Sequence, residues 1–328
     1  MGIQTALAMG LPLSLFTLLG HQPLGLIASL GGFTALYCAS MRRRDRVRIL
    51  PLIAVGLALA SALGVLCSSS VWLSIFCLIA VAALACTFTI GMGLGPPGPL
   101  MFVIVSAVST RIASSGFLNE THFGPFFIPA LVLVGAIAAY LIVIAPLALP
   151  SVRDREKLAA PPPPLRFNKG AVLIILRVTV GTAIASLAGL ALGVAHSYWV
   201  VIPAIAVLQV GLNRQQTTTR TFQRVLGTFL GVFAFGLLAL SEPRGVWLVA
   251  VIMLLQFAVE VVVTKNYGLA LVFITPLALT IATVSQAGDS FIPVRERVLD
   301  TLLGSAVALM VYWGSEWFRS RQPHQDAV

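Results

Sequence analysis

The chain has 328 residues, 58% of them hydrophobic and only 10% charged, with a formal net charge of +10 and a mean hydropathy of +0.98. A water-soluble domain carries about a quarter charged residues, because its outside has to be solvated. That deficit excludes a soluble domain and leaves an integral membrane protein.

The apolar runs are continuous rather than alternating, so helices are the expected spanning element. A span takes about 20 apolar residues, and about 17 suffice. In chain order the candidates lie near 3–20, 23–40, 49–67, 71–91, 98–113 and 124–149, then 171–194, 197–213, 224–240, 245–264, 268–286 and 297–315. The first run lacks a basic region and a small-residue cleavage site, so it reads as a permanent span. The pattern predicts an all-α integral membrane protein of about 12 transmembrane helices. Cys38, Cys67, Cys77 and Cys86 fall in or beside apolar runs without a CxxC or Cys/His cluster. They read as small hydrophobes, with neither a metal site nor a disulfide framework. The glycines of GMGLGPPG (91–98) follow no strand, which argues against a nucleotide fold. The glycosylation-like Asn119-Glu120-Thr121 reads as chance.

Orientation follows from where Lys and Arg fall. With the N-terminus inside, sixteen lie on inside segments, among them Arg42, Arg43, Arg44, Arg46 and Arg48, against three outside: Arg244, Arg295 and Arg297. Both termini are therefore expected in the cytoplasm, in a bacterial inner (plasma) membrane. The basic charge then needs no nucleic-acid partner. SVRDREKLAAPPPPLRFNKG (151–170) divides the chain, and its four prolines favour a stiff, extended spacer. Four parts are expected: a first six-helix repeat (1–150), a Pro-rich cytoplasmic linker (151–170), a second six-helix repeat (171–318) and a cytoplasmic tail (319–328).

The halves resemble each other weakly but in order. GHQPLGLIASLGGF (20–33) lies over AHSYWVVIPAIAVL (195–208), a shift of 175 residues that also aligns Gly56 with Gly231. Six spans per half is an even number, so the repeats insert in parallel, with a pseudo-two-fold axis along the membrane normal.

Polar residues within this oily chain are the site candidates. Arg177 lies about six residues, roughly 9 Å, inside its run. It either meets a carboxylate in an anion path or snorkels to the headgroups; for Arg111, near a span end, snorkelling is the plainer reading. Glu260, with Gln256 one turn before it, reads as an ion pair with Lys265 or as a proton carrier. Arg297 and Asp300 share a helix face at i, i+3, as a helix-start pair or as a gate or ion-coupling pair. His196, Tyr198 and Trp199 lie at the outer edge, where aromatic residues anchor helices or stack an aromatic substrate. NRQQTTTRTFQR (213–224) reads as an inner loop. Gln209 and Asn213 are expected to line a polar groove with Arg224, and Gly227-x-x-x-Gly231 to make a close helix contact.

One series of residues carries a resemblance. Arg177-x-x-x-Gly181, His196-Ser-Tyr-Trp199, Gln209, Asn213 and Arg224-Val-Leu-Gly227-Thr-Phe-Leu-Gly231 come in one order. Lys265-Asn-Tyr267-Gly, Pro276 and Arg297-Val-Leu-Asp300-Thr-Leu-Leu-Gly304 follow. Over 171–315 the chain resembles the fusaric-acid-resistance-like family of the aromatic acid exporter superfamily, which also holds the plant aluminium-activated malate transporters. The first half matches only as a degenerate repeat without the Tyr-Trp, RxLGT and RxLD elements. The resemblance implies export or permeation of organic anions, aromatic carboxylates above all. It adds Lys265 and Tyr267 to Arg177, His196, Tyr198, Trp199, Gln209, Asn213 and Arg224 as substrate-binding candidates. Glu260, Arg297 and Asp300 are the proton-coupling or gating candidates.

The expected function is thus export of small organic anions, with proton coupling as an option. A passive anion channel of the malate-transporter kind and a non-transporting membrane assembly subunit are the alternatives. No nucleophile–base pair or metal-ligand cluster stands out, so neither an enzyme nor a cofactor is expected. Expected partners are organic anions and the bilayer, with a homodimer and a periplasmic partner protein left open.

Overall fold

A computed structural model describes residues 2–115, 124–153, 164–192, 198–210, 213–285 and 291–321. Asn119-Glu120-Thr121, most of the proline run and His196 lie outside these, and of Tyr198 only the backbone is described. All regular structure among the described residues is helical. In the first half these are α1 (Gly2–Leu18), α2 (Gln22–Ser29) with a 3-10 continuation (Leu30–Leu36), α3 (Arg43–Leu66), α4 (Val71–Gly91), α5 (Leu100–Ser114) and α6 (Phe127–Ile144). In the second they are α7 (Lys169–Ala191), α8 (Tyr198–Leu208), α9 (Arg214–Ala239), α10 (Gly245–Val263), α11 (Tyr267–Ser285) and α12 (Phe291–Arg321).

Among the described residues, seven helices are long and apolar enough to cross a membrane, and five shorter apolar helices accompany them. The outside agrees with that: Phe222, Leu226, Phe229, Leu230, Phe233 and Leu237 of α9 are all exposed. Such a stripe is a liability in water and ordinary against lipid tails. The chain is a multi-pass helical membrane protein.

One expectation fails locally. NRQQTTTRTFQR is not a loop but the first turns of α9. Asn213 caps the helix by accepting from the Gln215 N–H at 2.9 Å. Thr217 and Thr221 then donate their hydroxyls to the carbonyls of Asn213 and Thr217. With the hydroxyls satisfied inside the helix, a polar sequence continues unbroken into the apolar span.

Within the first half α3 packs on α5 and α6, and within the second α9 packs on α11. The halves meet where α1 lies on α10 and α4 on α7. Helix α8 is threaded between α7 and α12, with Val200, Val201, Ile202, Ala204, Ile205, Ala206, Val207 and Leu208 all at most 5% exposed. From Val200 to Leu208 it is enclosed by protein, and it carries no polar face there. Small residues make the close crossings. A Cβ on Gly31 would strike the Val132 carbonyl and one on Gly135 the Ala28 carbonyl, joining α6 to the α2 segment. Gly227 and Gly231 face Gly268, Leu271 and Thr275 of α11, the close contact expected of them.

Candidate functional site

Four arginines are buried among the described residues: Arg46, Arg177, Arg224 and Arg297, each 5% exposed or less. A guanidinium out of water needs partners, since an unpaired buried charge is very costly. Arg46 donates to the Ala35 carbonyl at 2.8 Å. Arg177 donates through Nε to Ser315 at 2.7 Å, pairs with Glu316, and stacks over Tyr312 at 4.6 Å. It clamps α7 to the C-terminal end of α12.

Arg224 and Arg297 are held differently. Arg220 and Arg224 stand one turn apart on α9, so both face α11. Arg224 Nη1 donates to the Tyr267 hydroxyl at 2.6 Å, while Arg220 lies over the same ring at 4.5 Å. Arg297, on α12, lies over Trp199 of α8 at 5.2 Å. Gly304, two turns further along α12, lies against the Val200 carbonyl and Pro203, which lets α8 come this close. Arg224, Tyr267 and Asp300 are all within electrostatic reach of Arg297. Arg224 Nε, Arg297 Nε and Nη1, and both Asp300 carboxyl oxygens are buried without a hydrogen-bond partner. Trp199, Ala278, Leu279, Ala282, Glu296, Arg297 and Asp300 line a narrow cleft here. Its interior has room for about one water molecule.

Arg220 and Arg297 thus lie over rings, and Arg214 lies over Trp313 at 4.5 Å as well. A stacked guanidinium keeps its edge N–H groups for an anion while the ring offers an apolar face. Such a site suits a planar carboxylate.

The structure brings together Trp199, Arg224, Tyr267, Arg297 and Asp300 of the residues expected from sequence. Arg177 stands apart, engaged with the end of α12. Gln209, Asn213 and Arg224 do not share a groove. Gln209 turns to the first half, against Gly98 of the α4–α5 corner, whose carbonyl accepts from Tyr37 at 2.7 Å. Asn213 is a helix cap. The groove beside α9 is lined instead by Val210, Gln215, Gln216, Thr219, Arg220 and Gln223. Glu260 forms no ion pair with Lys265 among the described residues. Five residues separate them, about 140° around a helix, and Lys265 lies past the end of α10. Arg297 and Asp300 share a face, as expected, but do not pair directly.

Sequence reasoning missed Arg220, Glu296 and Arg46. The i, i+4 spacing of Arg220 and Arg224 was the available signal for the first. Nothing in RRRDRVR singles out Arg46 as the arginine that turns inward.

Arg177→Met gives a separable test. Glu316 is 41% exposed, so losing its partner strands no buried charge. Thermal melting should show a loss of about 1–3 kcal/mol. Unchanged melting would show that the clamp contributes nothing to stability.

The model for fusaric acid resistance protein-like proteins matches residues 180–311, from within α7 to within α12. The uncharacterized membrane protein YvaC of Bacillus subtilis is 34% identical over 128 residues, 38% of this chain and 20% of that protein. The uncharacterized protein YhfK of Escherichia coli is 30% identical over 143 residues, 43% of this chain and 19% of that one. ORF2 of Neisseria gonorrhoeae is 30% identical over 150 residues, 44% of this chain and 34% of that one. The match thus covers 34% or less of each relative. No solved structure matches. The matched segment holds the whole Trp199–Arg224–Tyr267–Arg297–Asp300 cluster and excludes the Arg177–Glu316 clamp. Over residues 180–311 the chain is similar to fusaric acid resistance protein-like proteins.

Proposed function

We propose that this chain exports small organic anions, aromatic carboxylates above all, across a bacterial inner membrane. The observation that carries the reading is the series in which Arg220 stacks on Tyr267, Arg224 donates to the Tyr267 hydroxyl and Arg297 stacks on Trp199, with N–H groups on Arg224 and Arg297 left unpartnered. On the positive-inside reading the groove at the start of α9 opens to the cytoplasm, and Trp199 lies toward the outside. An anion would enter beside Arg220 and pass Arg224 to reach Arg297. The first half supplies the frame. Matching pairings support two six-helix repeats, residues 1–150 and 171–318: α3 on α5 parallels α9 on α11, and α1 on α10 parallels α7 on α4.

Ligand-induced stabilisation tests the recognition step. A ligand at a hundred times its dissociation constant stabilises by about 2.7 kcal/mol. In detergent, 4-hydroxybenzoate should raise the melting temperature and the uncharged 4-hydroxybenzamide should not. Arg297→Gln should remove the shift. Equal shifts from both compounds, or none at saturating carboxylate, would contradict the reading.

A further inference from the structure

Asp300 is 1% exposed, and neither carboxyl oxygen has a hydrogen-bond partner. Arg297 stands one turn before it on α12, yet its Nε and Nη1 are equally buried and without a partner. Opposite charges this close in a low-dielectric setting draw together, because each buried ion left alone costs several kcal/mol. An arginine and an aspartate that stay apart fit a neutral carboxyl group beside a guanidinium held elsewhere. Arg297 is so held, on the face of Trp199.

Among the described residues, the charged and titratable groups around Asp300 are few. On α12 they are Glu296 and Arg297. Around Arg297, α9 brings Arg224 and α11 brings Tyr267. The other cleft residues, Trp199 of α8 and Ala278, Leu279 and Ala282 of α11, carry no charge. With Asp300 ionised, Arg224 and Arg297 share a counter-ion and offer an anion one net positive charge. With Asp300 protonated they offer two, and Asp300 no longer competes for the Arg297 edge.

Resting on the organic-anion reading above, we propose that Asp300 is the proton-binding residue of the transport cycle. Its protonation readies the Arg224–Arg297 site for a carboxylate, so that one proton and one monocarboxylate cross together. The proton passes from water on the loading side to an Asp300 oxygen, and returns to water on the far side once the anion has left. Only that O–H bond forms and breaks, and no net charge moves. Direction then follows the product of the proton and anion gradients, so an acid that accumulates inside leaves with a proton. Glu260 lies on α10, outside the cleft, and has no part in this step.

The test is uptake of radiolabelled 4-hydroxybenzoate into proteoliposomes, with leak through protein-free vesicles subtracted. One arm imposes a pH gradient, acid outside, and the other a potassium–valinomycin potential, positive inside. Wild-type protein should respond to the pH gradient and ignore the potential. Asp300→Asn, which is isosteric and fixed neutral, should respond to the potential and ignore the pH gradient. Glu260→Gln should behave as wild type. Retained pH-gradient drive in Asp300→Asn overturns the proposal and leaves the anion path standing. So does an Asp300→Asn protein that is monodisperse on size exclusion but moves no anion in either arm. Absence of protein-dependent uptake by the wild type overturns both the proposal and the reading beneath it.

Discussion

Arg224→Ala is expected to lower protein-dependent uptake of an aromatic carboxylate by about 10- to 150-fold, the equivalent of one charge-assisted hydrogen bond of ~1.5–3 kcal/mol. Arg224 is the middle member of the series. Its Nη1 engages Tyr267 and its charge acts on Arg297. Its removal takes away the Tyr267 donor and breaks the basic path between Arg220 and Arg297. Arg224→Lys should recover only part of the flux, because an ammonium is a point charge without a planar fork for a carboxylate. Initial rates in proteoliposomes, normalised to protein that elutes as a single species, measure this. An alanine variant that transports at the wild-type rate would remove Arg224 from the path.

Gly135→Leu is expected to abolish recovery of monodisperse protein. A Cβ on Gly135 would meet the Ala28 carbonyl, and Gly31 faces the same crossing from the other side. Overpacking in a core typically costs about 1–3 kcal/mol, and here the obstacle is backbone, which has no rotamer to turn away. Gly236→Leu is the control, since nothing lies within 4 Å of a Cβ placed there. Size-exclusion profiles of the two variants should therefore diverge. Equal profiles would show that the α2–α6 crossing yields more easily than its geometry implies.

Much of the fold was legible because lipid is a strict solvent: apolar runs of span length have few alternatives to helix. The regions that misread were those where the solvent changes. The polar start of α9 looked like a loop because its hydroxyls satisfy themselves inside the helix, which periodicity does not report. The site was legible in part. Tyr267 came only with the family resemblance, while Arg224, Arg297, Asp300 and Trp199 stood out as polar or aromatic residues set in or beside apolar runs. Arg177 stood out for the same reason, yet Ser315 and Glu316 claim it, and they lie 138 and 139 residues away along the chain. Burial alone does not distinguish a structural clamp from an anion contact; the identity of the partner does. Gln209 likewise turns away from the cluster, since the Gly98 corner it meets belongs to the other half.

The central claim, that the stacked arginines of the second half form a path for organic anions, is tested most directly by uptake into proteoliposomes of the wild-type protein. Radiolabelled 4-hydroxybenzoate and 4-hydroxybenzamide would be compared over a range of concentrations against protein-free vesicles. Protein-dependent, saturable uptake of the carboxylate, without saturable uptake of the amide, is the predicted result. Uptake of neither compound above the vesicle background, or saturable uptake of both alike, would contradict it.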